Sequence, residues 1–229
     1  MAPTRERAKA LIMAGAVLVE DRTVDKAGTL VAADAAITVK GGDNPYVSRG
    51  GLKLKGALSE FGISVEGAVA FDIGASTGGF TDCLLQEGAR KVYAVDVGYG
   101  QLAWKLRSDN RVVLFERTNI RYFNGDGIVD DIDIVTIDVS FISLKLVLPV
   151  VNGLVKEGCA ILALIKPQFE AGKGEVGKKG VVRDPEVHAG VIDGIIDFCK
   201  SLNLAVHGVV ESPITGPAGN REFFIYVKK

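Results

Sequence analysis

The glycine-rich segment DIGASTGGF, residues 72–80, constrains the fold of this chain more than any other stretch. An apolar run at residues 68–71 has the character of a buried strand, and residues 81–88 have the pattern of a helix that ends at glycine. Glycines in such a turn adopt positive φ and let a ligand approach the backbone near the unpaired N–H groups of the helix. The segment therefore predicts a strand–turn–helix unit that holds a nucleotide-like cofactor.

The spacing of the glycines narrows the kind of cofactor. Gly74, Gly78 and Gly79 do not match the G-x-G-x-x-G fingerprint of dinucleotide-binding turns. Asp72 adds a carboxylate at the predicted strand end, and its negative charge disfavours a pyrophosphate at this place. We therefore expect a cofactor other than a dinucleotide.

Alternating strand and helix patterns from residue 68 onward indicate the fold class. Strand candidates lie at residues 68–71, 91–95, 112–115, 132–137 and 159–165, with helical segments between most of them. This alternation predicts an α/β domain whose parallel sheet is covered on both faces. A helix at residues 185–202 is followed by two strand-like runs, 205–210 and 222–227, joined by a Pro/Gly loop. Because no crossover helix connects these two runs, we expect them to be antiparallel and the sheet to be mixed.

Residues 1–41 have the pattern of a small, separate α+β module. A helix with basic residues is predicted at residues 4–14, and short strands are predicted at residues 16–19, 29–31 and 35–40. The sequence GGDNP, residues 41–45, breaks this pattern and marks the domain boundary. The main domain is therefore predicted to span residues 42–229, with its first helix at residues 51–61.

Composition favours a soluble, cytoplasmic protein. The 229 residues are 48% apolar, enough to fill a core, but no apolar run approaches the roughly 18 residues that indicate a membrane span. The N-terminus carries charges rather than the apolar core of a signal peptide. The three cysteines are widely spaced and odd in number, which favours reduced thiols, and the two histidines form no ligand cluster. We therefore predict no metal site.

Charge is unevenly distributed, although the net charge is only −1. The excess of basic residues lies in the N-terminal part of the chain. A second basic cluster lies in a glycine-rich loop and consists of Lys173, Lys178, Lys179 and Arg183. Such clusters either contact phosphates or form a solvated face, and charge alone leaves both interpretations open.

Two polar residues follow predicted strands at positions suited to an adenosine cofactor. Asp96 ends the second strand of the main domain, where doubly wound folds place a carboxylate on the ribose hydroxyls. The alternative for Asp96 is a residue that caps the following turn. Asn119 ends the third strand region, where it either bonds an adenine edge or forms a turn.

Five segments in order resemble a known family. The DIGASTGGF segment with Asp96 resembles S-adenosylmethionine-dependent methyltransferases of the FtsJ type. The further segments YVSRGGLKL (46–54), TIDVSFISL (136–144), LIKPQFE (164–170) and GNREFF (219–224) are similar to the TlyA family of ribosomal RNA 2′-O-methyltransferases, often labelled haemolysins. The N-terminal module resembles an RNA-binding domain shared with a small-subunit ribosomal protein. The family has another helix ahead of this point, so the resemblance implies a shortened module.

The resemblance implies a seven-stranded, doubly wound mixed sheet of the S-adenosylmethionine-dependent type, with ribosomal RNA or ribosomal subunits as partners. The implied cofactor-binding residues are Asp72, Gly74, Ala75, Ser76, Thr77, Gly78, Gly79, Phe80, Asp96, Asn119 and Asp138. The predicted RNA contacts are Arg5, Arg7, Lys9, Arg49, Lys173, Lys178, Lys179 and Arg183.

The family's Lys-Asp-Lys-Glu catalytic set falls on Lys53, Asp138, Lys166 and Glu222. A ribose hydroxyl is a poor nucleophile, so methyl transfer from a sulfonium needs alignment, proton removal or both. A lysine acts as the base only if its pKa falls from about 10.4, which a second lysine nearby or desolvation promotes. We predict that Lys166 is the base, because it directly follows an apolar strand and so lies at the edge where such folds bind ligands.

Each of the four residues also has a structural interpretation. Lys53 on a basic helix is either solvated or in contact with phosphate, and Asp138 is suited to capping a following helix. Lys166 is suited to covering the core with its stem, and Glu222 to an ordinary edge-strand charge. The resemblance, rather than the chemistry of any single residue, favours the catalytic interpretation.

Three other functions compete with RNA methylation. The first is a non-catalytic RNA-binding protein with a vestigial cofactor fold. The second is a membrane-active protein of the haemolysin kind, for which the sequence offers no membrane span and no strongly basic amphipathic face. The third is a nicotinamide dehydrogenase, which the missing dinucleotide fingerprint disfavours.

Overall fold

The computed structural model describes residues 5–13, 15–20, 22–39, 44–172, 174–177, 180–216 and 218–229. The chain forms two compact units, Met1–Pro45 and Tyr46–Lys229. The domain boundary predicted after residue 41 falls among residues 40–43, which lie outside the described residues.

The first unit contains one helix and a small antiparallel sheet. Helix α1 (Arg5–Met13) precedes the strands β1 (Val17–Val19), β2 (Arg22–Val24) and β3 (Ile37–Val39), with β1 in the centre. The strand predicted at residues 29–31 is wrong, because this segment is irregular and Leu30 is 98% exposed. The strand β2 was missed instead, because its charged flanks resemble a turn while its backbone pairs with β1.

The second unit contains a seven-stranded mixed sheet, as predicted. Its elements are α2 (Gly50–Phe61), β4 (Val69–Ile73), α3 (Gly79–Gln86), β5 (Lys91–Val95), α4 (Trp104–Arg107), β6 (Val112–Phe115), β7 (Ile134–Ile137), α5 (Leu148–Leu154), β8 (Ala160–Ile165), α6 (Pro167–Glu170), α7 (Pro185–Ser201), β9 (Ala205–Glu211) and β10 (Phe223–Lys228). The strand order is β6-β5-β4-β7-β8-β10-β9, in which β10 is antiparallel to both β8 and β9. The predicted antiparallel arrangement of the last two strands is confirmed.

Both faces of this sheet are covered by packed side chains. Along β4, Val69 and Phe71 belong to the core on one face, while Ala70 belongs to the core on the opposite face. Strands buried on both faces read as continuous apolar runs, which explains why the sequence located most of them. The three cysteines are buried and unpaired. No helix within the described residues is long and apolar enough to cross a membrane.

The sheet brings the ends of several strands to one edge. The parallel strands β4, β5, β7 and β8 all finish there, and the residues that follow are Gly74, Asp96, Asp138 and Lys166. Strand β10 runs in the opposite direction and pairs Phe223 with Ile165, so its preceding residue, Glu222, lies at the same edge. Distant polar residues therefore meet because strand direction and register place them together.

Candidate active site

A cavity of about 970 Å³ opens at this edge of the sheet. Five of the predicted cofactor residues line it, namely Gly74, Ser76, Asp96, Asn119 and Asp138. The remaining walls come from the segments that follow β5, β6, β7 and β8, and include Val97, Gln101, Arg121, Ser140, Phe141, Ser143 and Phe169. The cavity therefore combines carboxylates with apolar and aromatic walls, as small-molecule sites commonly do.

The glycines of the DIGASTGGF turn permit close backbone packing at the cavity wall. Gly74 has φ +84°, and a Cβ there would lie 2.5 Å from the carbonyl oxygen of Asp138. Gly78 has φ +96°, and a Cβ there would overlap the side chain of Leu106. The turn thus depends on glycine for both conformation and space. Five other predicted contacts, Ala75, Thr77, Gly78, Gly79 and Phe80, are not among the described residues that line the cavity, so their direct contact with a cofactor stays a prediction.

The carboxylate of Asp72 lies beneath α3 rather than in the cavity. The residue is fully buried, and its two oxygens accept hydrogen bonds from Thr81 Oγ1 at 2.6 Å and Thr136 Oγ1 at 3.0 Å. Burial raises the pKa of Asp72 to about 7, although both hydroxyl bonds oppose this rise. Asp72 therefore supports the turn from below, and its direct contact with a cofactor stays a prediction.

We expect the buried carboxyl of Asp72 to make stability depend on pH. Its pKa is about 7 in the folded protein and about 3.9 in an unfolded chain, so the stability that it contributes is complete below about pH 4. This contribution declines as the pH rises and is lost above about pH 7. The free energy of unfolding should therefore fall between pH 5 and pH 8 by up to about 3 kcal/mol more in the wild type than in Asp72→Asn. Urea denaturation across this range measures the difference, and parallel pH profiles would contradict it.

Asp96 joins two loops at the cavity wall. Its Oδ2 accepts the backbone N–H of Ser76 at 2.8 Å, and its Oδ1 accepts that of Gly98 at 2.7 Å. Each carboxylate oxygen can accept a second hydrogen bond, so the turn-capping and the ribose-binding interpretations are compatible.

Asn119 also has a local role. Its Oδ1 accepts the backbone N–H of Arg121 at 3.1 Å and so caps the short 3₁₀ helix Ile120–Tyr122. The turn-forming interpretation is therefore observed. Because the residue also lines the cavity, its proposed contact with an adenine edge stays a prediction.

Lys166 is held by two residues of the loop that follows β7. Its Nζ lies 2.5 Å from Asp138 Oδ1 and donates to Ser140 Oγ at 2.9 Å. The Asp138 contact is an ion pair without hydrogen-bond geometry, because Oδ1 has no hydrogen-bond donor among the described residues. Lys166 is 9% exposed and Asp138 lines the cavity, so the pair lies between the protein interior and the open site. A buried lysine is thus in contact with an aspartate of the cavity wall, and the role of Lys166 as the base stays a prediction.

The other two predicted catalytic residues form a separate, deeper pair. Lys53 Nζ donates to Glu222 Oε2 at 2.6 Å, and their side chains are only 8% and 1% exposed. Neither is among the described residues that line the cavity. The start of α2 packs closely on the start of α3, because a Cβ at Gly79 would lie 3.0 Å from the backbone nitrogen of Gly51. The four charged residues are therefore arranged as two ion pairs at the same sheet edge.

The predicted RNA contacts are distributed over both units. In the first unit, Arg5 and Lys9 are exposed and line a surface cavity of about 610 Å³. In the second unit, Arg49 and Arg183 are exposed. The side chain of Arg7 and the residues Lys173, Lys178 and Lys179 lie outside the described residues.

Exposed aromatic and guanidinium groups lie at the rim of the cavity, either on residues of its wall, such as Phe141 and Arg121, or on residues next to the wall in sequence, such as Arg117 beside Thr118. Phe141 is 91% exposed and adopts φ +63°, an unusual conformation for a residue other than glycine. The guanidinium of Arg117 lies 4.2 Å from the ring centroid of Tyr99, and that of Arg121 lies 5.4 Å from the ring centroid of Tyr122. The adjacent Arg121 and Tyr122 were a sequence signal for such a pair, whereas the loop geometry of Phe141 had none.

Comparison with known proteins identifies the family. The profile of the family described as FtsJ-like methyltransferase matches residues 46–229, which include the whole cavity and both ion pairs. The chain belongs to the FtsJ-like methyltransferase family. It is 45% identical over 229 residues to a Mycobacterium tuberculosis protein named 16S/23S rRNA (cytidine-2′-O)-methyltransferase TlyA, covering 100% of this chain and 85% of that protein. The predicted membership of the TlyA family is thereby confirmed.

Solved structures agree with this membership of the FtsJ-like methyltransferase family. A protein from Streptococcus thermophilus with a provisional hemolysin name superposes with a TM-score of 0.84 at 45% identity, covering 99% of this chain and 83% of that one. The N-methyltransferase NodS of Bradyrhizobium japonicum, solved with S-adenosyl-L-homocysteine, has a TM-score of 0.55 at 13% identity. The match covers 82% of this chain and 89% of that one. This second likeness concerns the fold alone.

Proposed function

We propose that this FtsJ-like methyltransferase transfers a methyl group from S-adenosylmethionine to a ribose 2′-hydroxyl of ribosomal RNA. The observation that carries the proposal is the Asp138–Lys166 ion pair, which joins a buried lysine to the wall of the cavity. The TlyA relative, whose name specifies cytidine 2′-O-methylation of 16S and 23S rRNA, supports this choice of substrate.

The residues around the cavity fit S-adenosylmethionine. The volume of about 970 Å³ lies within the range of small-molecule sites, and Asp96 retains acceptor capacity for ribose hydroxyls. Gly74, Ser76, Asp96, Asn119 and Asp138 would hold the cofactor. Once bound, it supplies a methyl group activated by a sulfonium, and no polar residue needs to form a covalent intermediate.

Lys166 and Asp138 can manage the proton that leaves the ribose hydroxyl. The ion pair holds Lys166 as an ammonium, so this nitrogen would first release its own proton to solvent. It would then accept the proton of the hydroxyl on Nζ, and the adjacent Asp138 carboxylate would stabilise the ammonium that forms again. Ser140 Oγ accepts a hydrogen bond from the same nitrogen and keeps it directed toward the loop. The deeper Lys53–Glu222 pair would hold the neighbouring sheet edge in place without a direct route to the cavity.

The rim of the cavity is suited to RNA. Phe141 offers a nearly fully exposed ring, and the Arg117–Tyr99 and Arg121–Tyr122 pairs combine flat surfaces with positive charge. Aromatic and guanidinium planes stack on unpaired bases, and arginines contact phosphates. The rim supports an RNA acceptor whose target nucleotide is unstacked, because the reacting hydroxyl must reach a recessed ion pair.

We expect Phe141→Ala to weaken the use of RNA more than the binding of the cofactor, whose cavity wall it shares. Loss of one stacked base contact typically costs about 1–3 kcal/mol, so the KM for ribosomal subunits should rise between about fivefold and 150-fold. Phe141→Trp is the matched control, because it keeps an aromatic plane and should retain most of the affinity. Steady-state methylation with varied subunit concentration measures the effect, and an unchanged KM for Phe141→Ala would contradict it.

Transfer of labelled methyl groups to purified 30S and 50S subunits tests the proposed function. Nuclease digestion of the extracted RNA should release a labelled 2′-O-methylnucleoside. If the wild-type protein binds subunits but labels neither RNA, the enzymatic assignment fails for these substrates and a binding role gains support. Label on a base rather than on ribose would contradict the proposed acceptor.

A further inference from the structure

A row of side-chain contacts joins the loop after β7 to the segment after β8. The proposed chemistry uses only one end of this row, the ion pair between Asp138 and Lys166. Further along these two segments, the rings of Phe141 and Phe169 pack with centroids 5.0 Å apart at an angle of 48°. The row ends at Glu170, a residue to which neither the sequence motifs nor the proposed mechanism gives a role.

Glu170 closes the row with both of its carboxylate oxygens. Ser143 Oγ donates to Oε2 at 2.6 Å, and the backbone N–H of Leu144 donates to Oε1 at 2.7 Å. Leu144 is itself buried in the core. Burial raises the pKa of Glu170, and the bonds from Ser143 and Leu144 oppose that rise. The carboxylate thus accepts two donors from the loop in a half-buried position.

The loop held in this way has little structure of its own. Residues 138–143 belong to no helix or strand, and Phe141 adopts a positive φ that persists only where the surroundings fix the chain. One end is fixed because the backbone N–H of Asp138 donates to the carbonyl of Ile73 at 2.9 Å. The other end is fixed by Glu170. Without this carboxylate, the loop would keep the Asp138–Ile73 bond and the contacts of Lys166 and Phe169, but it would lose the two side-chain bonds that join it to α6.

Glu170 is also connected directly to the lysine segment. Helix α6 starts immediately after Lys166 and ends at Glu170, so one short helical segment separates the two side chains. We propose that Glu170 is a positioning residue for methyl transfer, which fixes the loop of residues 138–144 against α6 and thereby aligns the Asp138–Lys166 pair with the cavity. This inference rests on the proposed function. Its physical basis is that a displacement of about 1 Å in a reacting group can cost a factor of about 100 in rate.

Three variants separate positioning from general stability. Glu170→Ala removes both acceptors and should lower kcat for ribosomal subunits by about 10-fold to 100-fold. Glu170→Gln should stay within about threefold of the wild type, because its amide oxygen accepts from Leu144 and its NH₂ group donates to the Ser143 hydroxyl. Leu204→Ala, a buried core change, should lose stability but keep kcat at temperatures where it is folded. The KM for S-adenosylmethionine should change less than about threefold in all three variants.

Amide hydrogen exchange provides a readout that needs no RNA. The Leu144 amide should exchange faster in Glu170→Ala than in the wild type, and Glu170→Gln should restore the protection. If the wild type methylates no RNA, the proposed function fails, while the exchange rates still decide whether Glu170 holds the loop. The inference is overturned by an unchanged kcat in Glu170→Ala, by an equal loss in Glu170→Gln, or by an equal loss in Leu204→Ala.

A further variant covers the case in which Glu170→Ala does not fold. Ser143→Ala removes one of the two loop donors and leaves the Leu144 bond intact. We expect Ser143→Ala to lower kcat by about threefold to 10-fold, which is less than the loss expected for Glu170→Ala, because only one of the two bonds is removed. A kcat equal to that of the wild type would overturn the inference.

Discussion

Replacing Lys166 by alanine is expected to lower the rate of methyl transfer to ribosomal RNA by at least about 100-fold, because general base catalysis typically contributes a factor of about 10²–10⁴. Lys166 is the buried cation that contacts Asp138, a residue of the cavity wall. Its own side chain is not among the described residues that line the cavity, so the affinity for S-adenosylmethionine should change less than about threefold. Single-turnover labelling and calorimetric titration of the cofactor measure the two quantities separately.

Two further variants identify how Lys166 acts. Lys166→Arg keeps the positive charge but cannot supply a neutral nitrogen, so it should be nearly as slow as Lys166→Ala if the lysine is the base. Lys156→Ala removes an exposed lysine that pairs with Asp131 and should leave the rate unchanged. A fast Lys166→Arg enzyme would show that charge, rather than proton transfer, is required. A fast Lys166→Ala enzyme would exclude this residue from the chemistry.

Breaking the buried Lys53–Glu222 pair is expected to produce the largest loss of stability. Removing one partner leaves an uncompensated charge in a position where the side chains are only 8% and 1% exposed. Such a change typically costs about 3–5 kcal/mol, so Lys53→Met and Glu222→Leu should each lower the free energy of unfolding by about this amount. The double variant should be more stable than either single variant, because it contains no unpaired charge. Urea denaturation of the four proteins completes a double-mutant cycle.

A second lysine of α2 forms an exposed ion pair and supplies the control. Lys55 pairs with Glu87 at 2.6 Å, but these side chains are 45% and 29% exposed. Because exposed pairs contribute about 0–1 kcal/mol, Lys55→Met should change stability far less than Lys53→Met. Equal effects of the two substitutions would contradict the assigned burial. The methylation rate of the folded double variant then decides whether the buried pair also serves the chemistry: wild-type activity would assign it a structural role alone.

The sequence located the ends of the strands before Asp96 and Asp138, but it ended the strand around Asp72 too early. Predicted strands at residues 91–95 and 132–137 end where β5 and β7 end, so Asp96 and Asp138 do follow their strands. The predicted strand before Asp72 ended at residue 71, whereas β4 continues to Ile73. Side chains alternate between the two faces of a strand. Because Asp72 lies inside β4, its carboxylate faces one side of the sheet, where it contacts Thr81 of α3 and Thr136.

By itself, the sequence determined the α/β class, the mixed sheet and the identity of the charged residues at its edge, because apolar runs and the residues after them are local features. Only the tertiary structure decided which charges pair. Lys166 meets Asp138 because β7 and β8 are parallel neighbours, and Lys53 meets Glu222 because α2 packs closely and β10 runs antiparallel to β8. These partners are separated by tens of residues or more along the chain, and only strand order, direction and register bring them together.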